Sequence, residues 1–357
     1  MTSRLGAPAT EPGLIGTDRP LSQLYDVLLV DLDGVVYIGP DAVPGAAEAL
    51  RRARDAGMGA RFVTNNASRP APVVAQHLRD LGVDCGDEEV VTSAQAAAGL
   101  LADRFDPGAK ILVVGGAGLY WALEQDGLAG VGSMDDEPVA IVQGFGPEVG
   151  WRLLAEGTRA VRSGLPWIAT NTDLTVPTQY GPAPGNGTLV AAIATAAKAT
   201  PEVAGKPEPP LFLDAVRRSG SKRPLVVGDR LDTDLEGARA ANIDGLAVLT
   251  GVSTAAEIMA AVPRLRPHLI GQDLDCLMEA HPQPSRSEEA WACRGSAVTV
   301  RDGQLDVQRT GSDPLDLLRA ACSASWEVMD DDAGEAPGAA RVLEALARLD
   351  GSISWDR

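Results

Sequence analysis

The stretch VLLVDLDGVVY, residues 27–37, runs apolar side chains directly into two aspartates, Asp31 and Asp33. The short Val- and Leu-rich run before Asp31 predicts a strand that is buried on both faces. An isolated buried carboxylate costs several kcal/mol and usually takes up a proton. Two carboxylates at the end of such a strand therefore require either a cation beside them or a turn that carries them into water.

Similar short apolar runs recur along the chain, and Ala-rich helical segments separate them. This alternation predicts an α/β fold with a doubly wound, Rossmann-like parallel-sheet core. The further predicted strands are residues 59–64, 110–116, 138–144, 165–170, 223–229 and 244–250, and the main predicted helices are residues 45–57, 70–82, 148–164 and 187–200.

There are more strand–helix units than one such sheet needs, which predicts several domains. We expect the middle segment to be an α/β cap domain inserted into the core, and the last segment to be a small α+β appendage with two strands around Asp302-Gly303 followed by two helices. The predicted division is a flexible tail at 1–20, the core at 21–92 and 200–281, the cap at 93–199, and the appendage at 282–357.

Composition limits the partners of this chain. Its 357 residues include 31 Lys and Arg against 49 Asp and Glu, a formal net charge of −18, which argues against a nucleic-acid binder. An anionic substrate would have to be held by a local positive charge, because the field of the whole chain repels it. Four cysteines without a C-x-x-C pair, and the lack of a secretion signal or a long apolar run, predict a soluble cytoplasmic protein without a membrane span. Whether the chain forms a homo-oligomer is left open by the sequence.

Polar residues with complementary chemistry follow several of the predicted strands, where ligands bind in open parallel sheets. Thr64 ends one strand and Asn65 follows it, Asp229 ends another strand with Asp234 shortly after it, and Lys206 precedes a helix. Carboxylates suit a hard cation such as Mg²⁺, and a hydroxyl and an ammonium group suit phosphate oxygens. Each feature alone is an ordinary turn, cap or surface charge. Together, and in chain order, they predict a phosphate and Mg²⁺ site.

Two neighbouring carboxylates also suit a two-step reaction. One carboxylate in line with phosphorus can form an aspartyl-phosphate. The other, two residues further along an extended backbone, lies on the same side and can protonate the leaving oxygen and later activate a water.

Four segments resemble the motifs of the haloacid dehalogenase-like phosphatases, in the order that the family has. They are DLDGVVY (31–37), FVTNNASR (62–69), AGKPEPPLF (204–212) and VVGDRLDTDLEGA (226–238). The insert between the second and third motifs looks like a C2-type cap. It places the chain beside the subfamily of phosphoglycolate, pyridoxal phosphate and glycerol 3-phosphate phosphatases, and the resemblance covers about residues 22–279.

The resemblance implies a role for each motif residue. Asp31 would be the nucleophile and Asp33 the general acid and base, and the phosphoryl group would be bound by Thr64, Asn65 and Lys206. The resemblance also implies that Mg²⁺ is held by the Asp31 carboxylate, the Asp33 backbone carbonyl and Asp229. Asp234 would lie outside these ligands and order a metal-bound water or Lys206. Gly34 would let the backbone turn out of the strand.

The cap supplies the candidate substrate contacts. Its segment 169–190 is rich in Asn, Thr, Pro and Gly, and we expect an irregular loop that presents Asn171, Thr172 and Asp173 to the leaving group. The same three residues could instead form a structural Asx turn. Polar contacts favour glycerol 3-phosphate as the substrate; phosphoglycolate and pyridoxal phosphate are the alternatives, the latter with Tyr180 as a weak candidate for ring stacking.

Other function classes fit less well. A receiver-like signalling domain also has a phosphorylatable aspartate, but it lacks an inserted cap and carries that aspartate on a middle strand. A haloalkanoic acid dehalogenase would need neither Asp33 as an acid nor Mg²⁺. A binding protein with an inactive site would require loss of Asp31 or Asp33. Within the appendage, residues 331–346 resemble the pyrophosphate loop of Gcn5-related acetyltransferases without its basic lead residue, which predicts a degenerate fragment.

Overall fold

Strands and helices alternate along the chain in the computed structural model, which describes residues 13–178, 180–332, 335–350 and 355. The strands are β1 (Val27–Val30), β2 (Tyr37–Ile38), β3 (Asp41–Ala42), β4 (Gly59–Thr64), β5 (Val90–Thr92), β6 (Lys110–Val114), β7 (Ala129–Val131), β8 (Ala140–Gln143), β9 (Trp167–Ala169), β10 (Thr175–Thr178), β11 (Gly181–Pro184), β12 (Glu202–Val203), β13 (Pro224–Gly228), β14 (Asp244–Val248), β15 (Leu269–Gly271), β16 (Ser285–Arg286), β17 (Trp291–Cys293), β18 (Ser296–Arg301) and β19 (Gln304–Arg309). The helices are α1 (Leu21–Leu24), α2 (Ala46–Asp55), α3 (Ala71–Asp80), α4 (Ser93–Ala102), α5 (Ala117–Gln125), α6 (Trp151–Arg162), α7 (Asn186–Ala197), α8 (Pro210–Ser219), α9 (Glu236–Ala240), α10 (Ala255–Met259), α11 (Pro314–Asp332) and α12 (Ala340–Leu349).

The chain divides into two compact units, and the first comprises residues 1–60 and 221–357. Its parallel strands lie in the order β15-β14-β13-β1, and every residue of β1 is buried, as the apolar run predicts. Val30 pairs with Val227, so β1 and β13 end side by side. The residues that follow these two strands are thereby brought to one edge of the sheet.

The second unit, residues 61–220, contains the parallel pair β4 and β5 and a separate five-stranded parallel sheet in the order β12-β9-β8-β6-β7. Every predicted strand is present, and the predicted α/β class is confirmed. The five-stranded sheet spans residues 110–203, which supports an α/β cap in that part of the chain. The predicted boundaries between core and cap, at 92/93 and 199/200, stay a prediction.

The appendage has the predicted hairpin and two helices. Strands β18 and β19 are joined by Asp302 and Gly303, both with positive φ (51° and 69°), as a tight hairpin turn requires. The strands belong to an antiparallel sheet in the order β16-β17-β18-β19, followed by α11 and α12.

The appendage shares one hydrophobic core with the rest of its unit. Members of this core cluster before residue 282 include Leu235, Ala247 and Ile258, and members after it include Leu318 and Trp326. Burying apolar surface is the main source of folding free energy. The appendage is therefore part of the unit that carries β1.

Part of the predicted flexible tail is ordered, which corrects that prediction. Leu14 is buried, and the Ile15 amide donates to the carbonyl of His268 at 2.9 Å. Thr17 and His281 exchange hydrogen bonds, of 2.8 Å each. Residues 13–17 therefore gain an apolar contact and backbone partners that composition alone does not reveal. Residues 1–12 of the predicted tail lie outside the described residues.

The predicted irregular loop at 169–190 is a second correction. Strands β10 and β11 form an antiparallel hairpin there, and α7 begins at Asn186. Prolines at 177, 182 and 184 hide the hairpin pattern, since proline is disfavoured in strands other than edges. Among the described residues, no helix combines the length and the apolar character that crossing a bilayer would take.

His281 gives the first unit a measurable acid sensitivity. Desolvation by burial, with Arg319 nearby, lowers the pKa of His281 to about 4, below its usual value near 6.5. Between pH 4 and pH 6.5 the unfolded chain therefore binds more protons at His281 than the folded chain does. The contribution of His281 to the free energy of unfolding is complete above pH 6.5 and is lost as the pH falls towards 4. The unfolding free energy should therefore decline as the pH falls from 7 to 4.5, and we expect His281→Gln to make this decline shallower by up to about 1.4 kcal/mol per pH unit. Urea denaturation at a series of pH values measures it. Parallel profiles for the two proteins would contradict this role.

Candidate active site

Three carboxylates converge at the edge of the first unit where β1 and β13 end. Asp31 follows β1, Asp229 follows β13, and Asp234 lies in the π-helical turn Leu231–Leu235. One oxygen from each lies within 4.8 Å of the others, and Asp229 and Asp234 are only 1% exposed. In the described part of the chain, this is the one such cluster of acidic, His or Cys ligands.

This donor set fits Mg²⁺. Like charges held this close repel one another, and burial in a low-dielectric environment makes the repulsion costly. A divalent cation removes that cost, and magnesium binds carboxylate oxygens while keeping several waters. The cluster is therefore consistent with a cation at this edge of the sheet, and which of these carboxylates bind it directly stays a prediction.

Asp33 lies past the end of β1, where it forms an isolated bridge with Tyr37 at the entrance to the turn at residues 34–36. Strand β1 ends at Val30, and the amides of Val35 and Val36 donate to the carbonyl of Leu32 at 3.3 and 2.9 Å. Asp33 itself is exposed. Two-residue alternation along a strand therefore does not explain its placement; the turn carries this second carboxylate into water.

Gly34 makes this turn possible, as predicted. Its φ is +84°, in the region that favours glycine, and a Cβ there would overlap the Asp229 carboxylate. The site thus depends on close approach of the turn to Asp229.

A segment that follows β14 completes the first unit's site, although its residues are not among those predicted. The Thr250 hydroxyl donates to the Gly34 carbonyl at 2.5 Å, and the Val252 amide donates to Asp229 Oδ2 at 2.7 Å. The Ser253 amide donates to the Asp229 carbonyl at 3.0 Å. The position of this segment after a parallel strand is the signal that could have identified it.

In the second unit, Asn65 connects the predicted phosphate-binding residues. Its side-chain oxygen accepts the Lys206 amide at 2.8 Å, and its side-chain nitrogen donates to the Lys206 carbonyl at 3.1 Å. Thr64 is 6% exposed and accepts the Asn66 amide at 3.1 Å. The structure therefore brings Thr64, Asn65 and Lys206 together through local contacts.

Lys206 is only 3% exposed, and its Nζ donates to the Val63 carbonyl at 3.4 Å. Lysine is almost never fully buried unless it is paired. Its burial at the end of β4 argues against an ordinary surface lysine, and its role as the local positive charge for an anionic substrate stays a prediction.

The three cap candidates differ in their surroundings. Asn171 is 4% exposed, donates to the Asn65 carbonyl at 2.7 Å, and accepts the Asp173 amide at 3.2 Å, which is the Asx-turn geometry. Asp173 accepts the Asn65 side-chain amide at 3.3 and 3.2 Å, and Thr172 is exposed. Asn171 and Asp173 therefore both have a structural task beside Asn65. Tyr180 is 91% exposed.

Replacing Asn65 tests this connection. We expect Asn65→Ala to lower kcat/KM for a phosphoester by about 10- to 100-fold, because the Lys206 and Asp173 segments lose their shared partner. Asn65→Asp should be worse still, since a second carboxylate would face Asp173. The measurement is steady-state phosphate release, with Gln76→Ala on the exposed face of α3 as the control. Equal kcat/KM for Asn65→Ala and the unchanged protein would contradict this role.

Comparison with known proteins identifies the family. The model of haloacid dehalogenase-like hydrolases matches residues 28–129, and a HAD-hydrolase-like model matches residues 203–277. The chain is 44% identical over 342 residues to the D-glycerol 3-phosphate phosphatase of Mycobacterium tuberculosis, an alignment covering 92% of this chain and 95% of the relative. The chain belongs to the haloacid dehalogenase-like hydrolases.

A solved structure and a second curated protein are also similar to this chain. A crystal structure of the glycerol phosphate phosphatase from M. tuberculosis in complex with magnesium is 42% identical and superposes with a TM-score of 0.81, covering 93% of this chain and 99% of that one. The acid sugar phosphatase of Staphylococcus aureus is 35% identical over 236 residues, 66% of this chain and 90% of the relative.

The appendage matches a separate model. Residues 293–350 match the GCN5-related N-acetyltransferase like domain. The likeness predicted from residues 331–346 thus extends over the hairpin and both helices. Its degeneracy stays a prediction.

Proposed function

We propose that this chain is a Mg²⁺-dependent phosphatase that hydrolyses glycerol 3-phosphate to glycerol and phosphate through an aspartyl-phosphate. The observation that carries the proposal is the cluster of Asp31, Asp229 and Asp234 at the ends of two neighbouring parallel strands. The 44% identity to a D-glycerol 3-phosphate phosphatase over nearly the whole of both chains supports the choice of substrate.

In the first half of the proposed reaction, a carboxylate oxygen of Asp31 attacks phosphorus in line with the ester bond. The P–O bond to glycerol breaks, and Asp33 gives its proton to the departing oxygen. Thr64 and Lys206 bind the phosphoryl oxygens, whose charge is the main feature of such a transition state.

In the second half, Asp33, now ionised, takes a proton from water, and that water attacks the phosphorus of phosphorylated Asp31. Phosphate leaves, and the Asp31 carboxylate is restored. Asp31, the Asp33 backbone carbonyl and Asp229 would hold Mg²⁺, with Asp234 outside them. The bound cation supplies charge neutralisation at the phosphoryl oxygens.

Glycerol suits the polar character of the cap candidates. Thr172 is exposed and Asp173 is half-buried, so both can offer oxygen atoms to the hydroxyls of a small polyol. Pyridoxal phosphate would call for a stacked aromatic ring. The 91% exposure of Tyr180 argues against that use.

A substrate panel tests the proposal. Phosphate release is measured from glycerol 3-phosphate, 2-phosphoglycolate, pyridoxal 5′-phosphate and a nucleoside monophosphate, with Mg²⁺ and with EDTA. We expect the highest kcat/KM for glycerol 3-phosphate and loss of activity in EDTA. Preference for another ester would overturn the substrate assignment, and release that is unaffected by EDTA would overturn the metal assignment.

We place the protein in the cytoplasm, as a chain whose four buried cysteines form no disulfide suits a reducing compartment. The net charge of −18 continues to argue against nucleic acid as a partner. A homo-oligomer is compatible with the fold and is tested by light scattering.

A further inference from the structure

The segment Thr250–Val252, which follows β14, contacts both parts of the first unit's site. At one end, the Thr250 hydroxyl donates to the Gly34 carbonyl at 2.5 Å. At the other end, the Val252 amide donates to Asp229 Oδ2 at 2.7 Å. One short segment thus binds the turn that follows Asp31 and the metal-binding carboxylate of Asp229.

Two hydrogen bonds restrain the peptides on either side of the Gly34 Cα. The Gly34 amide donates to the Tyr37 carbonyl at 2.8 Å. Because the C=O and N–H of a trans peptide point in opposite directions, this bond turns the Asp33 carbonyl away from Tyr37. The Thr250 hydroxyl then holds the next carbonyl, that of Gly34. The Asp33–Gly34 peptide is therefore held through its own N–H, and the next peptide, Gly34–Val35, is held by Thr250, so both peptides that meet at the Gly34 Cα are restrained.

Asp229 is confined between two glycines. A Cβ at Gly34 or at Gly251 would overlap its carboxylate. The backbone turn after Asp33 and the backbone of the Thr250 segment therefore both lie directly against this carboxylate. A shift of either one changes the separation between the Asp33–Gly34 peptide and Asp229.

We propose that Thr250 is a positioning residue for the metal site: its hydroxyl sets the place of the Asp33–Gly34 peptide relative to Asp229. The inference rests on the proposed function for the identity of the cation. Replacing a side chain that orients the metal ligands without binding the metal itself commonly lowers metal affinity or activity by about 10- to 100-fold. Thr250 acts on the backbone turn through a hydrogen bond that its hydroxyl donates to the Gly34 carbonyl. The residue at this position must therefore carry a hydroxyl.

Thr250→Val tests the inference, because valine keeps the shape and removes the hydroxyl. The dissociation constant of Mg²⁺ is measured by titration calorimetry on the full chain without substrate, together with kcat and KM for glycerol 3-phosphate. We expect Thr250→Val to raise the Mg²⁺ dissociation constant about 10-fold or more and to lower kcat, with KM within about threefold of its original value. Thr250→Ser should restore both. Thr299→Val, the same change at a half-buried threonine of β18, serves as the control and should match the unchanged protein.

An unchanged Mg²⁺ dissociation constant in Thr250→Val would overturn the inference, and so would failure of Thr250→Ser to restore it. If Thr250→Val melts below the assay temperature, Thr250→Ala is compared with Thr250→Ser in the same way. The calorimetric result does not depend on which ester is hydrolysed. A wrong substrate for the unchanged protein therefore counts against the proposed function alone.

Discussion

Asp31→Asn is expected to lower kcat for phosphate release by at least ~10⁴-fold while the chain stays folded. An amide cannot attack phosphorus to give an acyl phosphate, so the first displacement has no nucleophile. The same change removes one of three close negative charges at Asp31, Asp229 and Asp234. We therefore expect the melting temperature without Mg²⁺ to be unchanged or higher.

The matched control is Asp232→Asn, in the same motif as Asp229 and Asp234. The Asp232 side chain is 62% exposed and pairs with Arg230 at 2.8 Å, a surface ion pair that contributes little to stability. It should retain kcat within about twofold, as surface substitutions usually do. Substantial Mg²⁺-dependent turnover by Asp31→Asn would show that another group is the nucleophile.

Trp326→Ala is expected to lower the unfolding free energy by about 3–5 kcal/mol, although it lies in the appendage. Trp326 is 3% exposed within the shared hydrophobic core, and its indole N–H donates to the Ile258 carbonyl at 3.1 Å. The Arg266 guanidinium lies 5.1 Å from the centroid of its ring. Arg266 is fully buried and forms two hydrogen bonds with Asp330, of 2.7 and 2.9 Å. Loss of the ring leaves a cavity and weakens the surroundings of a buried charge.

Urea denaturation measures this effect, and Trp151→Ala is the control. Trp151 is 82% exposed at the start of α6, so its removal should change the unfolding free energy by only about 0.5 kcal/mol. A chain that ends at residue 281 should likewise fail to unfold cooperatively. If Trp326→Ala costs less than the control, or the shortened chain melts like the full one, the appendage is a separable module.

The convergence of Asp31, Asp229 and Asp234 could be predicted from the sequence, because the ends of parallel strands meet at one edge. The position of Thr250 and Val252 after a parallel strand could have marked their segment as part of the site, but their individual contacts could not be predicted. The Val252 contact is made by a backbone amide, which any residue but proline supplies, and the Thr250 contact ends on a backbone carbonyl. Such bonds leave no pattern of side-chain types.

The remaining differences have similar causes. Strands β5, β7, β12 and β15 have only two or three residues, too few for an apolar run to stand out. The ordering of residues 13–17 and the burial of α11 against α10 depend on contacts between segments far apart in the chain. The hairpin β10–β11 is hidden by its prolines. Local periodicity carries no information about any of these.

The stereochemical course at phosphorus is the most direct test of the covalent mechanism. A glycerol 3-thiophosphate made chiral with oxygen isotopes is hydrolysed in isotopically labelled water, and the configuration of the inorganic thiophosphate is determined. Each in-line displacement inverts phosphorus, so transfer to Asp31 followed by attack of water gives overall retention. Retention is the expected result. Inversion would show a single direct attack by water and would contradict an aspartyl-phosphate on Asp31, whatever the rates of the individual steps.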